Sequence, residues 1–250
     1  RACGDEISEA QPALYARLED GSRVAAMFPP CSIDGPTLTV RKFTRRYTLQ
    51  ELVDTGTLTV DLAHLLTDAV HRRLNVLISG GTGTGKTTLL NALASTIPAE
   101  DRIVLIEETS EILIDKPNLV RFEARRSQAP LGQEAPLPAV TIADLLRATL
   151  RHRPDRILVG EVRGLEAFDL LQALARLAHC VLTANTGLPH HSTREAIALA
   201  IDLVVHVERV GRHRRVTDVA RVAGYDVTAD RIRTEAIVGP ALTATEGGVS

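Results

Sequence analysis

The sequence predicts an α/β protein with a mostly parallel sheet covered by helices, preceded by part of a smaller β-containing domain. Two observations lead to this prediction. From residue 75 onward, short apolar runs typical of buried strands alternate with helical segments, which is the pattern of parallel strands joined by crossover helices. Before residue 43, the chain shows mainly short strand-like runs separated by turn residues.

The N-terminal part predicts a small antiparallel unit. Strand-like runs at 13–18 and 23–28 flank an acidic glycine turn, which favours a hairpin, and 37–43 is a third candidate strand. Because this unit looks incomplete, we expect it to be the end of a domain whose beginning is missing. The predicted division of the chain is 1–43 for the C-terminal part of this N-terminal domain, 44–50 for a linker and 51–250 for the main domain.

Most elements of the main domain follow from periodicity and start signals. Three apolar runs are typical of buried strands, and these are 75–79, 102–107 and 156–161. Helical spacing of apolar residues occurs at 49–53, 62–70, 88–94, 141–151 and 165–177. Residues 192–195 match a capping box that opens a helix through Ala200, and 203–208 with 216–222 predict a hairpin around Gly211.

The segment from Gly80 to Thr87 is the most informative part of the chain. Its letters, GGTGTGKT, match the pattern of a phosphate-binding loop, and it lies between a predicted strand and a predicted helix, as that pattern requires. Glycines let backbone N–H groups converge on phosphate, and the helix N-terminus adds partial positive charge. Lys86 is expected to reach the β- and γ-phosphates, and the Thr87 hydroxyl to help hold Mg²⁺. The predicted nucleotide-binding residues are Gly81, Thr82, Gly83, Thr84, Gly85, Lys86, Thr87 and Thr88.

Two of the predicted strands end in carboxylates, Glu107 with Glu108 in one case and Glu161 in the other. Strands near a phosphate loop in a parallel sheet end at the same edge as the loop. Phosphoryl transfer to water needs a clamped Mg²⁺ and a group that orients the attacking water, so these glutamates are candidates for both roles. Strand ends are exposed and often charged, so one such glutamate alone would carry little weight.

Arginines form a second group of candidates. The strand that ends in Glu107 is followed by Arg121, Arg125 and Arg126, Glu161 is followed by Arg163, and the main domain is preceded by Arg41, Arg45 and Arg46. An arginine from a neighbouring subunit is a common way to stabilise the γ-phosphate in the transition state. As a group, these residues suit a ring of subunits with sites between them, although each arginine alone is an ordinary surface charge.

Composition limits the classes of partner. The formal net charge of −2 gives no general attraction to nucleic acid or anionic membranes, and aromatic residues make up only 3% of the chain. No apolar run reaches the roughly 18 residues of a membrane-spanning helix. The three cysteines, Cys3, Cys31 and Cys180, are scattered and odd in number, which suits a reducing cytosol and disfavours a disulfide framework or a zinc site.

Three motifs, in this order, are similar to those of the secretion traffic ATPases. Residues 80–93 resemble the Walker A region of that family, 106–111 its acidic "Asp box", and 153–164 its atypical Walker B strand, which ends in Gly-Glu. The segment 39–42 is similar to the end of the family's N-terminal domain. The resemblance, which covers nearly the whole chain, is to the type II/type IV secretion ATPases, including the conjugal-transfer and pilus-assembly ATPases.

This resemblance implies a RecA-like ATPase domain joined to a smaller N-terminal domain. It implies a homo-hexameric ring at the cytoplasmic face of the inner membrane, with inner-membrane secretion or pilus components as partners. ATP and Mg²⁺ are the implied ligands, held by Lys86 and Thr87. Glu107 and Glu161 would serve Mg²⁺ and the attacking water, with Glu108 as a further metal ligand. Arg41 and Arg125 carry over as contacts of the γ-phosphate.

The sequence departs from the family at one place. The family's "His box" has no counterpart, and about twenty residues expected from family spacing are absent between Leu174 and Ala175. Either the protein has lost this strand, or the sequence omits a stretch here. Three functions therefore stay open. The first is an ATP-hydrolysing hexameric motor for bacterial secretion, conjugal transfer or pilus assembly. The others are an ATP-binding ring component with little turnover and a related nucleic-acid motor, the last disfavoured because no basic groove or stacking platform is evident.

Overall fold

The computed structural model describes residues 7, 12–18, 22–42, 46–125, 138–161 and 190–239. By its internal contacts the chain divides into two compact units, residues 1–46 and 47–250. The predicted helix at 165–177 and the junction between Leu174 and Ala175 lie outside the described residues.

The first unit contains a three-stranded antiparallel sheet. Its strands are β1 (Ala13–Arg17), β2 (Arg23–Met27) and β3 (Thr37–Arg41), and they pair in the order β1–β2–β3. The amide of Leu18 donates to the carbonyl of Ser22 at 2.9 Å, which closes the turn between the first two strands. The predicted hairpin and the third strand are confirmed.

The second unit begins with two short helices whose ends are set by threonines. Helix α1 (Leu49–Asp54) begins within the segment predicted as the linker, and helix α2 (Val60–His71) follows it. The Thr48 side chain accepts from the amide of Glu51, whose carboxylate accepts from the Thr48 amide in return. Such a capping box satisfies N–H groups that have no partner inside the helix.

Seven further strands and three further helices complete the described part of this unit. The strands are β4 (Val76–Ser79), β5 (Ile103–Glu107), β6 (Leu119–Glu123), β7 (Arg156–Val159), β8 (Leu203–Val210), β9 (His213–Asp226) and β10 (Arg231–Val238). The helices are α3 (Lys86–Ala94), α4 (Ile142–Thr149) and α5 (His190–Ala200).

These strands form two sheets within the described residues. One has the order β10–β9–β8–β4, in which β4 and β8 are parallel and the other pairs antiparallel. The other has the order β6–β5–β7 and is entirely parallel. The fold is therefore mixed α/β, and the parallel pairs agree with the alternation of strands and helices in the sequence.

Most predicted elements are confirmed, and three differ from the prediction. Strand β6 was not predicted because Arg121 and Glu123 interrupt its apolar pattern, as suits a strand that pairs with β5 on one side. Strand β7 ends at Val159, so Glu161 follows the strand instead of ending it. Helix α5 begins at His190, which places Ser192 inside its first turn, and the prediction of a cap at Ser192 is wrong.

The core lies where helices cover these two sheets. All five residues of β5 are buried, because β6 and β7 flank the strand and helices pack on it. Leu146 of α4 packs in one cluster with Val104 and Ile106. Leu66 of α2 and Leu89 of α3 belong to a larger cluster that packs against β8.

A buried ion cluster ties β7 to α2. Asp101 is only 4% exposed, and its carboxylate accepts from Arg156 at 2.7 Å and from Arg73 at 2.9 Å. Arg156 also donates to the carbonyl of Val70 in α2 at 2.5 Å. Burial raises the pKa of Asp101, but Arg156 and Arg73 together outweigh it and leave that pKa below its usual value.

We expect Asp101→Asn to lower the free energy of unfolding at pH 7 by about 3 kcal/mol, because it leaves a buried guanidinium without its counter-charge. The charged carboxylate stabilises the folded state above its unfolded pKa near 3.8, and this contribution is lost as pH falls through the lower native pKa. Urea denaturation over a pH series measures both effects. Asp68→Asn, in an exposed pair with Arg72, is the control, and equal losses in both variants would contradict the prediction.

Candidate functional site

The glycine-rich loop lies between β4 and α3, as the sequence predicts. Its first residue, Gly80, has a φ of 144° and packs directly on β8, because a Cβ placed there would be 2.2 Å from the carbonyl oxygen of Val207. Just before the loop, the Ser79 hydroxyl is 2.9 Å from Nδ1 of His206, its register partner on β8. Strand β8 therefore determines where the loop starts.

The loop ends at a helix N-terminus that no side chain caps. Gly85 is the N-cap of α3, with a φ of 105°, and it makes no side-chain capping bond. The first amides of a helix have no partner within the helix, so an uncapped terminus leaves donors suited to an anion. Thr87 and Thr88 lie in this first turn, where the sequence predicts them.

Lys86 folds back over the loop. Its Nζ donates to the carbonyls of Gly80 at 2.8 Å and Gly81 at 2.7 Å. The hydroxyl of Thr84, a buried side chain, also donates to Gly81 at 2.9 Å. The predicted binding residues 81–88 thus make up the loop and the first turn of α3, and the Lys86 ammonium group is bonded to the start of the loop.

Glu107, at the end of β5, is a buried carboxylate that holds a turn. Its Oε1 accepts from the amides of Glu111 and Ile112, both at 2.7 Å, and its Oε2 lies 3.7 Å from Arg121 of β6. Burial raises the pKa of Glu107; the two amides, Arg121 and Ser110 oppose this shift only in part. The carboxylate thereby fixes the turn that contains Glu108, which is half-buried.

The two carboxylate segments lie side by side at one edge of the parallel sheet. The amide of Gly160 donates to the carbonyl of Ile106 at 2.9 Å, and a Cβ on Gly160 would be 3.1 Å from Cγ of Glu107. The exposed Glu161 is the next residue along the chain. The segments that carry Glu107 and Glu161 are therefore neighbours, while β4, which leads into the glycine loop, belongs to the other sheet. The predicted position of the two carboxylates beside the loop stays a prediction.

Helix α3 is connected to this edge through one amide side chain. The Oδ1 of Asn91 accepts from the amide of Leu113 at 2.9 Å. Leu113 directly follows the turn that Glu107 holds. The helix that begins at the glycine loop is thus hydrogen-bonded to the segment after the carboxylates.

The arginine candidates occupy different places. Arg125 forms a backbone bridge with Val140 and donates to the carbonyl of Pro138 at 3.2 Å. Arg41 ends β3 in the first unit. Their contact with a γ-phosphate stays a prediction, and Arg126 and Arg163 lie outside the described residues.

Sequence reasoning did not assign the residues that position Glu107. The sequence places Arg121 only among the arginines that follow β5, because β6 was not predicted. In the structure Arg121 lies on β6 and pairs with Glu107. The roles of Asn91 and Gly160 depend on contacts between distant segments. The Gly-Glu pair at 160–161 was the one local signal for Gly160.

Two features are absent from the part of the chain that the structure describes. Within these ranges, no three histidine, cysteine, aspartate or glutamate side chains lie close enough together to form a metal site. None of the helices in this part of the chain combines the length with the apolar character that a membrane crossing requires.

A family model described as type II/IV secretion system protein matches residues 7–204. Among individual relatives, the chain is 33% identical over 249 residues to the conjugal transfer protein TrbB of Rhizobium radiobacter, covering 90% of this chain and 72% of the relative. It is 35% identical over 269 residues to the type IV secretion system protein PtlH of Bordetella pertussis, with 88% and 77% covered.

Two further similarities extend this comparison. An uncharacterized protein of Methanocaldococcus jannaschii is 43% identical over 174 residues, which are 67% of this chain and 24% of that protein. The crystal structure of the VirB11 ATPase from the Brucella suis type IV secretion system, in complex with sulphate, matches with a TM-score of 0.52 at 31% identity. That match covers 86% of this chain and 78% of the other.

The packing of Gly80 leads to a prediction about stability. Gly80→Ala would force a Cβ against the Val207 carbonyl at a positive φ, so we expect the free energy of unfolding to fall by about 3 kcal/mol or more. Gly83→Ala is the matched control: its φ is 74°, but no atom lies within 4 Å of the added Cβ. Its loss should be only the backbone strain of about 1 to 2 kcal/mol. Chemical denaturation measures both losses, and a Gly80 variant as stable as the Gly83 variant would refute the close packing.

Proposed function

The chain belongs to the type II/IV secretion system protein family, and from this membership we propose that it is an ATP-hydrolysing motor subunit with a RecA-like core. The observation that carries the proposal is the glycine loop, which joins a strand to an uncapped helix with Lys86 folded over it. The loop lies inside the family match. The relatives named for conjugal transfer and type IV secretion support a role in such a machine, or in the related assembly of a pilus.

The loop residues fit a nucleotide with Mg²⁺. The uncapped amides of α3 and the ammonium group of Lys86 are donors for phosphate oxygens, and the Thr87 hydroxyl is an oxygen ligand of the kind that Mg²⁺ takes. When bound, Mg²⁺ neutralises charge that develops on the phosphates. Lys86 would leave the carbonyls of Gly80 and Gly81 to bind the β- and γ-phosphates.

The carboxylates have separate tasks in this proposal. Glu161 is exposed at the sheet edge, so it is the residue that orients the attacking water. Glu107 is buried and bonded to the turn after β5, so it acts mainly by fixing that turn and with it Glu108, the proposed further oxygen ligand toward Mg²⁺. Arg121 keeps Glu107 in place from the neighbouring strand.

The assembly is proposed from the family alone. The subunits would form a hexameric ring at the cytoplasmic face of the inner membrane, in contact with components of the secretion or pilus machine. Arg41 and Arg125 would contact the γ-phosphate of an ATP bound in the ring. One observation favours a second candidate function, an ATP-binding ring component with little turnover: the His-box segment has no counterpart in the sequence.

Substitutions at Lys86 and Glu161 test the proposal. Lys86→Ala should weaken ATP binding and lower turnover by about 100-fold or more, since it removes the central cation of the loop. Glu161→Gln should keep ATP binding and lower turnover by about 100-fold, since it removes the group that orients water. Steady-state phosphate release and ATP titration separate the two effects, and light scattering gives the mass of the assembly.

Two variants serve as controls for these measurements. Lys116→Ala removes a lysine that also donates to a backbone carbonyl, that of Ile97, and Glu235→Gln neutralises an exposed glutamate of β10. Both should retain wild-type turnover. Wild-type protein that binds ATP without hydrolysing it would favour the ring component, and wild-type protein that does not bind ATP would refute the proposal.

A further inference from the structure

Arg214 reaches the glycine loop from a distant part of the chain. It lies near the start of β9, at the tip of the hairpin that β9 forms with β8. Its Nε donates to the carbonyl of Gly83 at 3.1 Å, across 131 residues of sequence. Its Cδ would be 3.1 Å from a Cβ placed on Gly85, so the absence of a side chain at Gly85 makes room for the stem of Arg214.

This contact has the same form as the one that Lys86 makes. Lys86 donates to the carbonyls of Gly80 and Gly81, the first two residues of the loop. Arg214 donates to the carbonyl of Gly83, in the middle of the loop. Among the described residues, Arg214 forms no ion pair with a carboxylate. The loop therefore has two cationic side chains bonded to neutral carbonyl oxygens, one from its own helix and one from the hairpin.

We propose that Arg214 is a second cation of the nucleotide site, which binds the polyphosphate chain from the hairpin side of the loop. This inference rests on the proposed function. A guanidinium has five N–H donors in a planar fork that matches phosphate oxygens, and its bonds to an anion are stronger than those to a neutral carbonyl. A polyphosphate in the loop would therefore compete with the Gly83 carbonyl for Arg214.

The rest of the hairpin tip supports an anionic ligand. Arg209, Arg212, His213 and Arg215 surround Arg214 in sequence and are exposed, which gives the tip an excess of positive charge. Arg214 differs from Arg215 by the side of the strand on which it lies, since successive side chains of a strand point to opposite faces. In the register of the hairpin Arg214 is opposite Arg209, and Arg215 is opposite Glu208.

Nucleotide titrations of four variants test the assignment. We expect Arg214→Ala and Arg214→Gln to bind a fluorescent ATP analogue about tenfold more weakly than the wild type, because both lack the charge. Arg214→Lys keeps the charge and should lose no more than about threefold. Arg215→Ala removes the same charge from the other face of the strand and should bind as the wild type does.

Competition experiments identify the part of the nucleotide that is recognised. Inorganic tripolyphosphate should displace the analogue from the wild type, and Arg214→Ala should weaken this competition about as much as it weakens ATP binding. AMP should be affected far less. An equal loss for AMP and ATP would overturn the assignment to the polyphosphate chain.

The remaining outcomes are also decisive. Rescue of binding by Arg214→Gln but not by Arg214→Lys would mean that only the bond to Gly83 matters, and it would overturn the inference. Unchanged binding by Arg214→Ala beside a wild type that binds ATP would overturn this inference alone. A wild type that does not bind ATP would refute the proposed function together with it. Thermal unfolding of each variant checks that the fold is retained.

Discussion

The close approach of Gly80 to the carbonyl of Val207 is the constraint on which the geometry of the site depends. It leaves no space for a side chain, so the loop can begin only where β4 and β8 lie side by side. Because β8 continues directly into the hairpin with β9, the same packing brings Arg214 to the far side of the loop. The packing of Gly80 on Val207 thus determines both where the loop starts and which residue of the hairpin, Arg214, contacts Gly83.

The carboxylate edge depends on a second constraint, the burial of β5. A carboxylate at the end of a fully buried strand is unfavourable unless hydrogen bonds and a counter-charge compensate it. Glu107 has two backbone amides and Arg121 for this purpose, and these bonds shape the turn that follows. The amide of Leu113, just after this turn, donates to the side chain of Asn91 in α3. The helix that follows the glycine loop is therefore hydrogen-bonded to the segment that follows Glu107.

The sequence predicted the parts of this structure that have local signals. The glycine loop, the apolar strands β4 and β5, and helices such as α2 and α4 all follow from residues close together in the chain. The burial of Glu107 could not be predicted in this way, because strand ends are usually exposed and here the following turn folds back over the carboxylate. The contact of Arg214 with Gly83 joins segments 131 residues apart, and no local pattern marks which arginine of a basic hairpin contacts the loop.

In the proposed nucleotide site, an anion would bind to the loop without large rearrangement. Lys86 and Arg214 already lie on the loop, so a bound phosphate would change their acceptors from neutral carbonyls to charged oxygens. The gain comes from the stronger bonds to an anion, while the entropy of ordering two long side chains is already lost in the folded protein. The first amides of α3 would not have to give up a side-chain acceptor, because no side chain caps the helix. A loop that already contacts Lys86 and Arg214 would therefore be preorganised for the proposed anionic ligand.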